Sequence, residues 1–426
     1  MKSSLALLKQ QRFAPFFWTQ FLGAFNDNVF KNAMVILLAF HTGKLLGMDS
    51  NTLVQLCAAV FILPFFLFSA TAGQLADKLE KSSLIRFVKL FEIAAMCVGA
   101  IGFYFNNVIL LFAALFMMGL HSTLFGPVKY AILPQHLAQE ELLGGNGLVE
   151  MGSFVAILLG TVLGGVLAAL PNGGLYAAGA TILFAISGWL TSRHIPMSPP
   201  AAPELEINPR FLQETWNTLK LTAQKPTVLW AILGISWFWL YGALVLSQFP
   251  GLVKDVLHGK EHAVTLLLTA YSIGVGIGSM LCERLARNGD GLWLVPLGGL
   301  GITVFGVDLY LTLQHVVSAD SWHLLSDLTL AGICGGLYIV PLYALMQRDS
   351  EVESRARVIA GNNIWNALFM VIAALAATVL LMFGLSIPQV LLIGAILNLP
   401  VVWLVCRRLP QTLSQAKLRF ARQSVR

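Results

Sequence analysis

Five polar side chains interrupt the first long apolar run of this chain: Asn26, Asp27, Asn28, Lys31 and Asn32 fall inside Phe16–Phe40, a stretch about as long as a bilayer-spanning helix. An ionised group near the bilayer centre costs roughly 2.5–3.5 kcal/mol on insertion scales. Two charges and three carboxamides in one span therefore need partners or water. Helical spacing aligns Gln20, Ala24, Asp27 and Lys31 on one stripe, with Asn28 at its edge. Two readings follow: an i,i+4 Asp–Lys pair that fixes packing, or the polar wall of a translocation cavity. Further along, His121 with Ser122 and Thr123 makes a second polar patch within apolar sequence. A histidine there can be a packed hydrogen-bonding group or a proton relay. Asn146, Glu150 and Ser153 share one helical face at i, i+4 and i+7. Glu150 either pairs with Lys129 or Lys31 or satisfies a helix start.

The elements that must position these residues are membrane spans. Of 426 residues, 57% are hydrophobic and 11% charged, against about 25% charged in soluble domains. The mean hydropathy is +0.75, which excludes a soluble enzyme. Twelve apolar runs are separated by charged or Gly/Pro-rich breaks, at 14–40, 52–75, 84–105, 107–134, 146–170, 173–192, 227–250, 263–283, 291–314, 322–346, 358–383 and 386–406. The first is too long and polar for a signal h-region, with no convincing A-x-A-like cleavage site, and is expected to remain as the first helix. The five cysteines are scattered, so no disulfide or metal site is expected. No phosphate-cradling glycine loop or Walker lysine is present; no cofactor is expected.

Charge placement sets a topology. Of 27 Lys and Arg, Lys44, Lys254 and Lys260 fall in odd-numbered connections and Lys31 is intramembrane. The other 23, among them Arg86, Lys89, Arg284, Arg348, Arg407 and Arg408, lie in or beside the even connections or the termini. The positive-inside rule then places both termini in the cytoplasm; basic residues of this kind speak for topology, not for nucleic-acid binding. A linker at 194–226 separates an N-terminal six-helix half, 1–193, from a C-terminal half with its tail, 227–426. The linker opens proline-rich and continues as a short helix. There Asn208 suits the N-cap and Pro209 the first position, Pro226 follows the stop, and Phe211, Leu212, Trp216 and Leu219 form an apolar stripe. The halves echo one another. Pro127–Ala131 matches Pro341–Ala344 when aligned on Tyr130-Ala131 and Tyr343-Ala344, Gly145–Gly147 matches Gly361–Asn363, and Asp77-Lys78-Leu79 matches Glu283-Arg284-Leu285, at offsets of 213, 216 and 206 residues. A parallel internal repeat follows.

Gly73-Gln-Leu-Ala-Asp77-Lys78-Leu-Glu80-Lys81 resembles the loop between helices 2 and 3 of the major facilitator superfamily, G-x-x-x-D-[RK]-x-G-[RK]. Gly73, Asp77, Lys78 and Lys81 match; Glu80 stands at the second glycine. The resemblance implies a conformational latch in which Asp77 meets the positive N-terminus of helix 11. Gly23-Ala-Phe-Asn26-Asp27-Asn28, Gly126-Pro127-Val-Lys129-Tyr130 and Asn146-Gly147-Leu-Val-Glu150 narrow it. They resemble the lysophospholipid transporter family, whose members share that fold and move lysophospholipids, mainly lysophosphatidylethanolamine, to the inner leaflet of the bacterial inner membrane for reacylation. On this resemblance Lys129 is a phosphate or carboxylate contact, with a snorkelling anchor as the plainer role. Trp237, Trp239 and Tyr241 could wall an acyl chain or simply pack. Some relatives carry an arginine in helix 7, where this chain has Trp237–Tyr241 and no charge. In that respect it resembles the transporter portion of proteins fused to acyltransferase and acyl-carrier-protein synthetase domains. His315-x4-Asp320 fits an acyltransferase pattern but lacks any companion motif.

The expectation is an all-α membrane protein of twelve transmembrane helices in two pseudo-symmetric halves, the major facilitator fold. It is a transporter, not an enzyme, without cofactor or metal, acting as a monomer in the bilayer of the bacterial inner membrane. Its substrate is a lysophospholipid and its expected functional partner a separate acyltransferase and acyl-carrier-protein synthetase. The substrate-binding and translocation residues are Asp27, Asn28, Lys31, His121, Lys129, Asn146, Glu150, Trp237 and Tyr241. The alternative is an ion-coupled transporter of a soluble or drug-like solute with Asp27 as proton carrier.

Overall fold

A chain in hydrocarbon must satisfy its backbone internally, and this one does so with helices. The computed structural model describes residues 4–41, 50–286, 289–315 and 318–423; Lys44 lies outside them. Among the described residues no strand occurs, and twelve helices have 20 residues or more. They are α1 (Ala14–His41), α2 (Ser50–Lys78), α3 (Lys81–Tyr104), α4 (Val108–Ala131), α5 (Leu142–Ala169) and α6 (Gly173–Ser192), then α7 (Pro226–Gly251), α8 (Glu261–Ala286), α9 (Leu294–Leu313), α10 (Trp322–Asp349), α11 (Arg355–Met382) and α12 (Ile387–Arg408). Each coincides with an apolar run of the sequence. Ten are apolar enough to cross a membrane by composition alone. The other two are α1, interrupted by Asp27 and Lys31, and α3, which carries Lys81, Arg86, Lys89 and Glu92.

Helix starts are set by side chains that take orphan N–H groups. Glu80 caps α3 by accepting from the Ser82 and Ser83 amides, and Asn107 caps α4 through the Leu110 amide. The Glu80 carboxylate also accepts from the Ser198 amide at 2.7 Å, and Lys81 N–H donates to the Ser198 carbonyl. The residue standing at the motif's second glycine thus ties the linker to the α2–α3 turn. Burial works to raise the Glu80 pKa, but the bonds from Ser83, Ser198 and Ser82 outweigh it and hold the carboxyl down at about 2. Ser198 is fully buried, its hydroxyl 2.5 Å from His136 Nε2.

The linker helix spans Phe211–Ala223, starting two residues beyond the expected Pro209. Asn208 Oδ1 accepts from the Arg210 amide, so Asn208 makes the turn before the helix rather than capping it. Pro226 follows the end of the linker helix at Ala223 and begins α7, a first-turn position where its missing N–H has no consequence.

Two compact units emerge. One comprises 1–137, 156–221 and 351–364; the other 138–155, 222–350 and 365–426. In the first, α1 packs on α6 and α4, α2 on α4, and α3 on α4 and α6. In the second, α7 packs on α12 and α10, α8 on α10, and α9 on α10 and α12. The partners repeat with a shift of six helices, which is the structural form of the internal repeat. Phe30, Met34, Met96, Leu111, Leu115 and Met118 centre the core of the first unit.

Candidate functional site

The first unit buries a charged network. Lys89 and Glu92, one turn apart on α3, form an ion pair with both side chains essentially inaccessible. Glu92 Oε1 accepts from Asn26 Nδ2 of α1 at 2.8 Å. Its other oxygen lies 3.3 Å from His121 Nε2 of α4. The far side of that imidazole, Nδ1, is 3.9 Å from Asp27 Oδ1. Asp27 Oδ2 accepts from the Ser122 hydroxyl at 2.6 Å. Three helices are therefore joined through one chain of groups, Lys89–Glu92–His121–Asp27.

Local packing makes room for it. A Cβ on Gly188 of α6 would lie 2.8 Å from Lys89 Cε, and one on Gly23 of α1 3.0 Å from Lys89 Nζ; a side chain at either position would displace the end of the buried lysine. On α1 itself, Asn28 Nδ2 donates to the Ala24 carbonyl, and Asn32 Nδ2 to the Asn28 carbonyl and to Thr161 Oγ1 of α5. Asp27 and Lys31, one turn apart, act on one another electrostatically, and each has a further partner of its own. Lys31 Nζ sits 4.4 Å from the centroid of the Phe61 ring, a cation–π contact. The i,i+4 stripe is thus split between a carboxylate bonded across to α4 and an ammonium directed to α2.

Lys89 corrects the topology reading. Counted there beside a cytoplasmic connection, it lies two turns inside α3 and is fully buried. Lys89 and Glu92, at i,i+3 inside an apolar run, are site residues beyond those expected from the sequence, carrying the same kind of signal as Asp27 and Lys31.

Asn146 and Glu150 of α5 are fully buried in the second unit. Asn146 and Gln347 of α10 exchange amide hydrogen bonds of 2.8 and 3.0 Å. Trp237 Nε1 donates to Asn398 Oδ1 of α12 at 2.8 Å, and Asn398 in turn donates to the Gly299 carbonyl and to Thr303 Oγ1. Tyr241 is buried against Gly306 and Gly394. Both aromatics take part in interhelical contacts within the second unit. Lys129 Nζ lies 5.1 Å from the Tyr130 ring centroid near the end of α4.

At the α2–α3 turn, Asp77 is fully buried at the start of α11. Its oxygens accept from the Ala356 and Arg357 amides at 2.9 and 3.2 Å and from Arg357 Nε at 3.1 Å. Two orphan amides and a guanidinium surround one carboxylate, the charge arrangement that a helix N-terminus favours. A Cβ on Gly73 would meet the Arg357 Cα at 2.9 Å, so the close approach of α2 to α11 needs glycine here. Lys81 is buried and electrostatically coupled to Asp77; Lys78 is half-buried. Elsewhere, Asp308, His323 and Asp327 gather within 4.8 Å of one another, a grouping that spacing did not reveal.

Comparisons with known proteins add the following. Residues 3–335 match the family model described as transmembrane secretion effector. A lysophospholipid transporter, LplT, of Escherichia fergusonii is 30% identical over 359 residues, covering 81% of each chain. LplT of Escherichia coli O157:H7 is 28% identical over 408 residues, 91% of this chain and 94% of its own. Among solved structures, the human organic anion transporter MFSD10 superposes with a TM-score of 0.74 at 15% identity, covering 92% of this chain and 99% of its own. The Escherichia coli fucose:proton symporter FucP gives 0.70 at 14%, covering 93% and 97%. These structural likenesses establish the fold.

Proposed function

We propose that this chain, which belongs to the lysophospholipid transporter family of the major facilitator superfamily, moves a lysophospholipid toward the inner leaflet of the bacterial inner membrane. The cargo we favour is lysophosphatidylethanolamine, delivered for reacylation by a separate acyltransferase and acyl-carrier-protein synthetase. Both termini are cytoplasmic in this reading, and the halves 1–193 and 227–426 alternate in exposing the cargo path. The observation that carries the proposal is the split stripe of α1. Asp27 and Lys31 stand one turn apart, each with a further partner of its own. A lysophosphatidylethanolamine headgroup has the complementary pair, an ammonium and a phosphate. Asp27 takes the ammonium and Lys31 the phosphate, with Asn28 beside them, while Lys129 meets the phosphate on exit. The relatives named as lysophospholipid transporters support the same cargo class.

The Asp77 contact with α11 serves as the latch of the cycle. Its bonds to the Ala356 and Arg357 amides hold one state and must break in the other.

The test is lysophosphatidylethanolamine translocation in vesicles reconstituted with the purified protein. Protein-dependent movement of the headgroup across the bilayer, above that of empty vesicles, is expected. No protein-dependent movement in vesicles where insertion is verified would overturn the cargo assignment.

A further inference from the structure

The far end of the chain carries charge that the cargo path does not use. From Ser354 to Arg426 there is no aspartate or glutamate, whereas the last twenty residues contain Arg407, Arg408, Lys417, Arg419, Arg422 and Arg426. Protein carboxylates therefore do not balance this segment from within. The cations begin where α12 leaves the membrane and continue along a terminal helix, Pro410–Gln423.

Tryptophan rings receive three of them. Arg407 lies 5.2 Å from the Trp403 ring centroid, Arg408 5.3 Å from that of Trp230, and Arg419 4.7 Å from that of Trp293. Arg419 also donates to the Leu285 carbonyl at 3.0 Å. Indole rings concentrate at the headgroup level of bilayers. A guanidinium over an indole face keeps the N–H groups of its own plane directed outward, available for bidentate bonding to phosphate.

The terminal helix has a matching form. Leu409, Thr412 and Ala416 are buried, and the helix packs on α9 and α12. Leu413 and Leu418 are exposed, Leu418 at 62%, beside the exposed Lys417. The helix has no carboxylate of its own, and Asp290, which it meets, accepts from Gln415 at 3.3 Å and is paired with Arg348; exposed apolar side chains beside cations describe a helix that lies in a membrane interface. A cluster of four or more Lys and Arg just beyond a transmembrane helix is suited to acidic lipid.

We propose that the end of α12 and the terminal helix form a docking surface for anionic glycerophospholipid, whose headgroup phosphates are drawn to the cations Arg407, Arg408, Lys417 and Arg419 while the acyl chains lie along the exposed apolar side chains beside them. This surface is independent of the cargo assignment. Its ligand is a diacyl lipid of the surrounding leaflet, held at the rim of the second unit.

Native mass spectrometry of the full-length protein in detergent tests it, with phosphatidylglycerol and phosphatidylethanolamine of identical acyl chains as probes. The wild type should retain phosphatidylglycerol in preference to phosphatidylethanolamine. The quadruple variant Arg407→Gln/Arg408→Gln/Lys417→Gln/Arg419→Gln should lose that preference by about tenfold or more, since each cation contributes to attraction of anionic lipid. The charge-preserving Arg407→Lys/Arg408→Lys/Arg419→Lys variant should keep most of it. If the quadruple variant does not elute as a folded species, Arg407→Gln/Lys417→Gln at two exposed positions gives the reading, with about a threefold loss expected. Equal retention of the two lipids by the wild type overturns the proposal. So does an undiminished preference in a folded cation-free variant, or a salt-sensitive association with an acidic soluble protein in place of lipid.

Discussion

Glu92 is the side chain whose replacement the fold should feel most. Removing its charge leaves Lys89 buried without a counter-ion, and breaking one partner of a buried pair costs roughly 3–5 kcal/mol. Glu92→Gln keeps an acceptor for Asn26 but not the charge, so it should lower detergent melting temperature and yield sharply. Lys89→Met combined with Glu92→Gln should restore most of both, because no charge is stranded. Equal damage from the single and the double variant would reject the pairing. This network was half legible in the sequence. Asp27 and His121 stood out as polar groups in apolar runs, but Lys89 sits close enough to the α2–α3 basic cluster to pass for a topology charge. Only tertiary structure shows that glycines on α1 and α6 make a cavity for it. Glu80 offers a second test, in acid. Its carboxyl titrates at about 2 in the fold, below the ordinary glutamate value of about 4.3. A depressed folded pKa means its stabilising effect is complete above the ordinary value and fades as the pH falls toward about 2. The stability difference between wild type and Glu80→Gln should therefore be constant from pH 7 to about 5 and shrink below about 4. A difference that grows on acidification would contradict the bonding described for this carboxylate.

Among elements, the contact between α2 and the start of α11 predicts a kinetic phenotype. Asp77→Asn keeps the shape and one acceptor but removes the charge that meets two amides and Arg357. Transport should slow, with cargo affinity unchanged within a few-fold. A large loss of affinity at normal turnover would move Asp77 from the latch to the cargo path. The connections test orientation. The proline-rich linker reads as an open strap, and Ser198 looks like a free position within it. Yet Ser198 is fully buried, held by Glu80 and His136. Its neighbour Met197 is 80% exposed. A cysteine at Met197 should react with impermeant thiol reagent only from the cytoplasmic side, and one at the exposed Asp255 only from outside. Reaction from the opposite side at either position would invert the topology. Helix positions were legible because hydrocarbon forces long apolar runs to be helices. The linker's fixation was not, because it depends on a glutamate and a histidine from elements 118 and 62 residues away in sequence.

For the whole molecule, repetition explains why so much of the architecture could be read in advance. Short motifs at offsets of 206 to 216 residues correspond to helix pairings that recur six helices later, α1 on α6 as α7 on α12, α2 on α4 as α8 on α10. The two sets of functional groups did not repeat in the same way. The first unit carries Asp27, Glu92, Lys89 and His121, whereas the second fixes Trp237 on Asn398 and Asn146 on Gln347, pairings that join residues 161 and 201 positions apart. Polarity in a span is visible in sequence; whether it faces cargo or a neighbouring helix depends on which partner the fold supplies. That distinction is the central claim for α1, and one measurement addresses it directly. Lysophosphatidylethanolamine flipping is followed in vesicles containing the wild type or the Asp27→Asn/Lys31→Gln variant, normalised to membrane-inserted protein. Because the double variant strands no charge, it should fold and insert yet flip the lipid poorly. Near-normal flipping by the inserted double variant would contradict the account and return both residues to a structural role.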